Sequence, residues 1–495
     1  MKKILSLTLV IFMLFPLVSC EKDNKENDTT LPPAEQTTEG ETTDPAYTCD
    51  LPANLNFGGT TINIRCVMSA GRDDELYSEG LGNGTVSDAV HKRNIAVQDQ
   101  LKVKLNYIRS GTDGDVAGEL DRVVKAGDRS IEIFTLGTNW SFPLAISGDY
   151  QNLNAVDNMD LSKSYWAQDF NNIATFGPEH KQFLATSSAA ISLFRLTYLT
   201  IFNRDLFAER HIPDLYEAVN KGTWTMDYQY SLMSDIWVDD DGDGTISEKD
   251  FFGFITGNCI SVDAYAVASN VRLVVFDKDG YLGYNPDEMG KFVEMTDKIS
   301  RLYNNQGTYY FRDAEYDDIG KHYICQKFAE KKGLMATTQF YSLETNINEL
   351  TPINYGIVPM PKLYNEQPAY RTYVQDQVTS FGISAAIADA NRLATLGAVM
   401  ESMAYHSYSI VRPAYYKNIL SLRFMQDPQS QDILNTMFET VAFDYVYLTN
   451  AAGIRDSLRT VLTSSNPSIS SRMSGYTKKL KKECADINKK IEDLG

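Results

Sequence analysis

The sequence predicts an α/β fold, because strand and helix patterns alternate at the start of the part that can fold. Apolar and polar residues alternate over Thr60–Met68, as a half-buried strand requires. A helical pattern follows, and Val103–Tyr107 is typical of a second strand. A second helical pattern ends at Gly127, and Ile131–Leu136 is apolar enough for a buried third strand. Elements in this order and at this spacing predict a parallel sheet covered by helices.

The spacing of apolar residues predicts the two early helices. Ser87 or Asp88 can cap the first helix, and Gly127 can end the second. The apolar positions are Val86, Val90, Ile95, Val97 and Leu101 in the first helix, and Val116, Leu120, Val123 and Val124 in the second. Further strands are expected at Gly333–Thr338, Tyr355–Met360 and Ser380–Ser384, and further helices from Asp389 to about Tyr408 and over Gly475–Leu494.

The loop after the third strand is the first place to look for a ligand site. Ligands of parallel sheets bind at the carboxyl ends of the strands. The loop Gly137–Trp140 lies at such an end and offers an amide and an indole ring. It is therefore expected to face the site.

Residues 1–19 are typical of an export signal. Lys2 and Lys3 supply a positive start, and the apolar run Ile4–Phe15 follows. The run is shorter than the ~20 residues that span a bilayer, which disfavours an uncleaved membrane helix. Cys20 at the cut resembles the bacterial lipobox, in which the cysteine is acylated. The chain is therefore predicted to be a lipoprotein, anchored on the outer side of the cytoplasmic membrane.

Residues 20–53 are predicted to be the lipidated cysteine and a disordered acidic tether. The segment Glu21–Tyr47 contains eight carboxylates, two lysines and almost no aliphatic residue. Such a composition buries too little apolar surface to offset chain entropy. The tether is therefore left out of the fold prediction.

Composition excludes several functions. The formal net charge of −19 disfavours binding to nucleic acid, which needs a positive surface. It also argues against a polybasic hold on anionic lipid, so membrane attachment is expected through the lipid anchor only. The remaining five cysteines and the five histidines are scattered, without the spacing of a disulfide framework or a zinc site.

The strongest local motif is an acidic twelve-residue loop that is typical of calcium sites. Calcium binds six or more hard oxygens, and its loops place a glycine at position 6. Here Gly244 holds that position and Ile246 is expected to anchor the loop inward. Asp250 closes the loop where glutamate is usual. The predicted ligands of a structural Ca2+ are Asp239, Asp241, Asp243, Thr245, Ser247 and Asp250. An acidic turn without metal is the alternative.

Several segments together resemble the family-1 extracellular solute-binding proteins of ABC importers, the maltose-binding-protein-like group. They occur in the order of that family, after the Gly-Thr-Asn-Trp loop. They are Phe202–Phe207, Gly222–Asp227, Gly333–Ala336 and Tyr355–Lys362. The resemblance covers most of residues 54–495, and the lipobox and tether fit lipid-anchored members.

This resemblance implies a type II periplasmic-binding-protein-like fold, with two α/β lobes and a hinged ligand cleft. Lobe one would comprise residues 54–197 and 361–410, and lobe two residues 198–360 and 411–495. The implied function is capture of a carbohydrate, expected to be an oligosaccharide, and its delivery to the transmembrane subunits of an ABC permease. The protein would act as a monomer and would not be an enzyme.

Matching loops to the family's cleft implies a set of ligand-binding residues. Trp140 is expected to stack on a sugar and Asn139 to hydrogen-bond with it. The other implied residues are Arg72, Asp73, Asp263, Phe340, Tyr341, Asp376 and Tyr447. Each of these side chains could instead serve packing, as a core residue or a helix cap.

Two alternatives remain open. The same scaffold could bind a peptide or another small solute, which charged anchors and few stacked rings would favour. The chain could also be a membrane-tethered glycan hydrolase, which two convergent carboxylates in one cleft would favour.

Overall fold

The computed structural model describes residues 49–494 except 70, 258–259, 312–322, 347–349, 351, 421–427 and 465–468. The predicted signal peptide, the lipidated Cys20 and nearly all of the tether lie outside the described residues. No helix in the described ranges combines the length and the apolar character needed to cross a membrane.

The described strands are numbered in chain order. They are β1 Thr60–Cys66, β2 Val103–Arg109, β3 Ile133–Gly137, β4 Thr175–Phe176, β5 Lys181–Gln182, β6 Tyr198–Asn203, β7 Trp237–Val238, β8 Phe251–Gly257, β9 Val274–Phe276, β10 Leu282–Tyr284, β11 Thr308–Phe311, β12 Gly333–Gln339, β13 Tyr355–Val358, β14 Thr372–Tyr373, β15 Thr379–Ile383 and β16 Val441–Ala442.

The described α-helices are numbered in the same way. They are α1 Thr85–Leu101, α2 Asp113–Ala126, α3 Thr138–Ser147, α4 Gln168–Ala174, α5 Ser192–Arg195, α6 Arg204–Glu209, α7 Leu215–Asn220, α8 Met226–Met233, α9 Ile260–Ala268, α10 Met289–Tyr303, α11 Tyr323–Ala329, α12 Phe340–Thr345, α13 Ala390–His406, α14 Arg412–Leu420, α15 Pro428–Glu439, α16 Tyr445–Thr449, α17 Ile454–Leu462 and α18 Met473–Asp493.

The first sheet has the strand order β15-β3-β1-β2. Strand β1 pairs in parallel with both β2 and β3, which confirms the parallel strands predicted from the early part of the chain. Strand β15 joins from much later in the sequence and runs antiparallel to β3. The carboxyl end of β3 therefore lies beside the segment that enters β15.

The second sheet has the strand order β11-β8-β12-β6-β13, with β7 on β8. Its strands fall within residues 198–358, and those of the first sheet fall within 60–137 and 379–383. The strands of the first sheet thus fall within the residues predicted for lobe one, and those of the second sheet within the residues predicted for lobe two. The lobe boundaries themselves stay predictions. Apolar side chains from both sheets and their helices fill the core.

Helix ends follow local chemistry, with one departure from the expected cap. Helix α1 begins after Gly84 without a side-chain cap, so the predicted caps Ser87 and Asp88 lie inside the helix instead. Helix α2 begins with a capping box between Thr112 and Asp115. It ends at Gly127 in the left-handed conformation, as predicted.

The segment Gly137–Trp140 differs from its prediction as a loop. Its residues from Thr138 onward form the first turn of α3. Pro143 is the sixth residue of this helix and has no backbone N–H, so the carbonyl of Asn139 lacks the usual helical donor four residues later. The side chains of Asn139 and Trp140 are therefore held by a helix rather than by a free loop.

The ring of His406 makes stability depend on pH. Burial and the charge of Arg93 lower the pKa of His406 from 6.5 to about 4. The unfolded chain binds this proton near pH 6.5 and the folded chain near pH 4, so acidification across this window lowers the free energy of unfolding, by about 1.4 kcal/mol per unit. We expect His406→Gln, which can keep the contact to Gln100, to lose this pH dependence in urea unfolding. Identical pH profiles in both proteins would contradict the assignment.

Candidate functional site

The first turn of α3 is fixed at the carboxyl end of β3. The N–H of Thr138 donates to the carbonyl of Val378 at 2.9 Å, and the N–H of Asn139 donates to the carbonyl of Asp376 at 2.9 Å. Both acceptors lie in the segment that enters β15. The position of Trp140 therefore depends on a contact between distant parts of the chain.

Trp140 presents an indole ring to solvent at a cavity of about 550 Å³. The residue is 44% exposed, which is unusual for a large aromatic side chain. One side of its ring packs over Gly114 of α2, where a Cβ atom would lie 3.5 Å from Cη2 of the indole. The cavity is lined by Gly114, Ala117, Gly118, Asp121, Asn139, Trp140, Pro143, Leu144, Leu448, Thr449 and Arg455.

This lining combines apolar surface with a few polar groups. Such a combination is typical of small-molecule sites, in which apolar walls supply contact and polar groups fix orientation. Asp121 supplies a carboxylate, which also pairs with Lys125 at 2.7 Å. Asn139 supplies an amide whose buried Oδ1 has no hydrogen-bond partner among the described residues. Arg455 supplies a guanidinium group.

Arg455 is a site residue that the sequence did not reveal. Its Nη1 donates to the carboxylate of Asp376 and to the carbonyl of Tyr447, the latter at 3.1 Å. Burial raises the pKa of Asp376, although Arg455 opposes the shift. Asp376 therefore lies behind Arg455 and holds it, instead of lining the cavity itself.

Asp263 is also held inside the protein. Its carboxylate is fully buried and accepts hydrogen bonds from Nε of Arg459 at 3.2 and 3.1 Å. The hydroxyl of Tyr373 donates to it at 3.4 Å. Burial raises the pKa of Asp263 to about 7, while Arg459 opposes the shift. These contacts give Asp263 a structural role in this conformation.

Two of the expected aromatic residues lie in the core. Phe340 is completely buried and its ring lies 5.5 Å from that of Phe438. Tyr447 is 2% exposed, and its hydroxyl has no hydrogen-bond partner among the described residues. Neither ring presents a face to solvent on which a solute could stack.

Arg72 stabilises the carboxyl end of β3 through Asp113. It is buried and forms an ion pair with Asp113, whose Oδ1 accepts a hydrogen bond from the N–H of Gly137 at 2.7 Å. A Cβ atom at Gly137 would lie 3.1 Å from Nη1 of Arg72 and 3.0 Å from Oδ1 of Asn139. Only glycine fits at this position without displacing these groups. The neighbouring Asp73 is exposed.

Tyr341 joins the two sheets at a separate point. Its half-buried ring packs on Gly71, where a Cβ atom would lie 3.3 Å from Cδ2 of the tyrosine. Gly71 follows β1 of the first sheet, and Tyr341 follows β12 of the second. Nearby, Arg195 pairs with Asp74 at 3.1 Å and with Glu344 at 3.3 Å. The sheets are therefore linked by both ring packing and ion pairs.

The acidic loop brings three of its predicted ligands together. Oxygens of Asp239, Asp241 and Asp243 lie within 4.8 Å of one another. The two oxygens of Asp239 accept hydrogen bonds from the N–H groups of Gly242 and Gly244, at 2.7 and 2.8 Å. Gly244 has a φ of +74°, which glycine adopts without strain.

The far end of this loop differs from the expected arrangement. Ile246 is exposed, so its prediction as an inward anchor is wrong. Asp250 is buried and accepts hydrogen bonds from the N–H of Ser247 at 2.9 Å and from Nε1 of Trp237 at 3.2 Å. Burial would raise the pKa of Asp250, but these donors outweigh it and lower the pKa. Strand β8 begins at Phe251, directly after the loop.

Comparisons with known proteins identify the fold. No protein-family model matches the sequence, and no curated protein matches it. Among solved structures, a sugar transporter from Rhizobium etli in an open conformation is similar over 88% of this chain and 100% of its own, with 13% identity and a TM-score of 0.54. A cyclic α-maltosyl-1,6-maltose binding protein from Arthrobacter globiformis is similar over 87% of this chain and 100% of its own, with 12% identity and a TM-score of 0.54.

A third structure, a cyclo/maltodextrin-binding protein complexed with maltotetraose, covers 88% of this chain and 97% of its own, with 10% identity and a TM-score of 0.52. At such low identities the likeness concerns the fold. It confirms the predicted class, an α/β fold of the type II periplasmic-binding-protein-like kind.

Proposed function

We propose that this protein captures a carbohydrate at the cavity beside Trp140 and delivers it to the permease of an ABC importer. The observation that carries this proposal is the half-exposed indole of Trp140, held by a helix turn at the carboxyl end of β3. A sugar presents apolar C–H surface, which packs on aromatic faces. It also presents hydroxyl groups, which the amide of Asn139, the carboxylate of Asp121 and the guanidinium of Arg455 can bind.

The size of the cavity suits a small-molecule solute. Its volume of about 550 Å³ falls within the range of 300–1,000 Å³ that is usual for ligand pockets. Two of the similar structures are described as binding a cyclic maltosyl-maltose and as a complex with maltotetraose. Glucose oligosaccharides are therefore the first series to test.

Capture without catalysis fits the lining of the cavity better than hydrolysis does. Glycoside hydrolysis by the common mechanism needs two carboxyl groups that flank one bond. The described lining of this cavity contains one carboxylate, that of Asp121. We therefore infer that the solute is released unchanged.

We further propose attachment to the membrane through lipid on Cys20. The proposal rests on the sequence pattern of residues 1–20, which lie outside the described part of the chain. Mass spectrometry of the N-terminal peptide from native membranes tests it. An acylated Cys20 as the first residue is expected, and an intact, unmodified segment 1–20 would contradict it.

Thermal unfolding against a ligand panel tests the proposed function. The panel contains mono- and oligosaccharides of several linkages, amino acids and short peptides. A solute at ~100 times its dissociation constant should stabilise the protein by ~2.7 kcal/mol. A shift with one sugar series, and recovery of that sugar unchanged, is expected. A shift with peptides only, or consumption of a glycan, would contradict the proposal.

We propose that the acidic loop binds calcium through Asp239, Asp241 and Asp243. Hard oxygens at this spacing suit Ca2+, and the ion would screen carboxylates that otherwise repel one another. Calcium is expected to raise the melting temperature, and Asp241→Asn with Asp243→Asn to remove the increase. Asp240→Asn is the matched control, because its carboxylate instead pairs with Lys332 at 2.8 Å. An equal response to calcium in all three proteins would contradict the site.

A further inference from the structure

Helix α18 carries a row of exposed lysines that the solute site does not use. Six lysines lie on its surface, and together they are called the lysine stripe: Lys478, Lys479, Lys481, Lys482, Lys489 and Lys490. An α-helix turns by about 100° per residue, which places all six within one half of the helix surface, together with the exposed carboxylates of Asp486, Glu492 and Asp493. The opposite side of α18 packs into the protein through Tyr476, Leu480, Cys484 and Ile491.

The six lysines outnumber the three carboxylates on this side of α18, which leaves it an excess of positive charge. Lys482 pairs with Asp486, and the Nζ of Lys481 lies 5.5 Å from the ring centre of Tyr284. The other four lysines form no ion pair with any residue that the structure describes. Their ammonium groups are free to meet an external anion without first breaking a contact.

The stripe stands out against the charge of the whole molecule. The chain has 65 acidic and 46 basic residues, a formal net charge of −19. An anionic surface would therefore repel most of the molecule and attract the side that carries α18. Exposed charges act over about 8–10 Å at physiological salt, so a local stripe can bind although the average charge is unfavourable.

We propose that the lysine stripe binds anionic lipid headgroups at the membrane surface. Clusters of four to eight lysines on one face of a helix suit such headgroups. The apolar side of α18 is buried in the protein, so the contact is electrostatic and α18 does not insert into the bilayer. This proposal revises the expectation, drawn from the average charge, that a lipid anchor is the only attachment.

The predicted anchor is compatible with this orientation. Residues 21–48 could span at most roughly 100 Å if fully extended. Any face of the folded part can therefore reach the membrane. The lysine stripe would favour the face of the protein that carries α18. It would thereby set the direction, relative to the membrane, in which the cavity beside Trp140 opens.

Vesicle sedimentation tests the proposal. The protein is residues 21–495 without lipid, which retains the compact unit Asp44–Gly495. It is mixed with vesicles of phosphatidylglycerol and phosphatidylcholine, or of phosphatidylcholine alone, at low and at physiological salt. We expect binding only to the anionic vesicles, weakened by salt. Lys478→Gln with Lys489→Gln should lower the partition coefficient roughly thirtyfold, since each lysine near the surface contributes about fivefold.

The matched control removes two exposed lysines elsewhere. Lys92→Gln with Lys104→Gln changes the net charge equally and should leave vesicle binding unchanged. The melting temperature and its increase with sugar are measured for each variant in parallel. Both should stay unchanged in the lysine variants, which distinguishes a failure of lipid binding from a failure of the proposed sugar capture. No binding to anionic vesicles, equal binding to both vesicle types, or equal loss in both variants would overturn it. Binding of soluble polyphosphate without vesicle binding would also overturn it and assign the stripe to a soluble polyanion.

Discussion

Replacing Trp140 by alanine is expected to weaken sugar binding at least tenfold and to leave folding nearly unchanged. Aromatic residues at the centre of binding sites commonly contribute ~2 kcal/mol or more. The ring is 44% exposed, so its removal leaves no large internal cavity. We expect the free energy of unfolding to change by less than about 1 kcal/mol. Isothermal titration with the sugar series from the panel measures the first effect, and urea unfolding measures the second.

Two further variants give this result its meaning. Trp140→Phe keeps an aromatic face and should recover part of the affinity. Ile95→Ala removes an apolar side chain that is also 44% exposed but lies on α1, and it should leave affinity unchanged. Sugar binding by Trp140→Ala at the affinity of the unmodified protein would place the solute elsewhere.

Replacing Asp263 by asparagine is expected to destabilise the fold by about 1–3 kcal/mol, because a buried amide cannot accept all the hydrogen bonds that Arg459 and Tyr373 donate to the carboxylate. Asp263 is completely buried, and its contacts are to Arg459 and Tyr373. Equilibrium unfolding in urea measures the change. If Asp263 only contacted solute, its replacement would change the free energy of unfolding far less.

Exposed ion pairs provide the comparison. Glu217 pairs with Lys221 on the surface of α7, and Glu217→Gln should change stability by less than about 1 kcal/mol. Asp263→Leu with Arg459→Met removes both charges of the pair and should recover much of the loss. Equal, small effects of Asp263→Asn and Glu217→Gln would show that the buried pair does not stabilise the fold.

The sequence was sufficient to predict the first sheet because its signals are local. The alternation in Thr60–Met68 and the glycine at Gly127 each reflect the immediate backbone, and both β1 and the end of α2 follow them. The cap of α1 was missed because Gly84 needs no side chain there. The helical turn at Asn139 was missed because its backbone is held by hydrogen bonds to the carbonyls of Val378 and Asp376. These residues lie more than 200 positions later in the chain, so the local sequence pattern does not indicate the contact.

The candidate site was predictable only in part for the same reason. Trp140 and Asn139 could be expected at a strand end, and both line the cavity. Arg455 comes from α17 and reaches the cavity only through the packing of distant segments. Asp376 and Asp263 carry charges that sequence alone cannot assign to solute or to a buried partner. The structure pairs both with arginine side chains.

Hydrogen exchange with and without the stabilising sugar tests the central claim most directly. Capture beside Trp140 predicts slower exchange in residues 138–147 of α3, in 445–449 of α16 and in 454–462 of α17, because all three helices supply residues to the lining of the cavity. It also predicts little change in α1 and β2. Slower exchange confined to segments away from the cavity, or no change at saturating sugar, would contradict capture at this site.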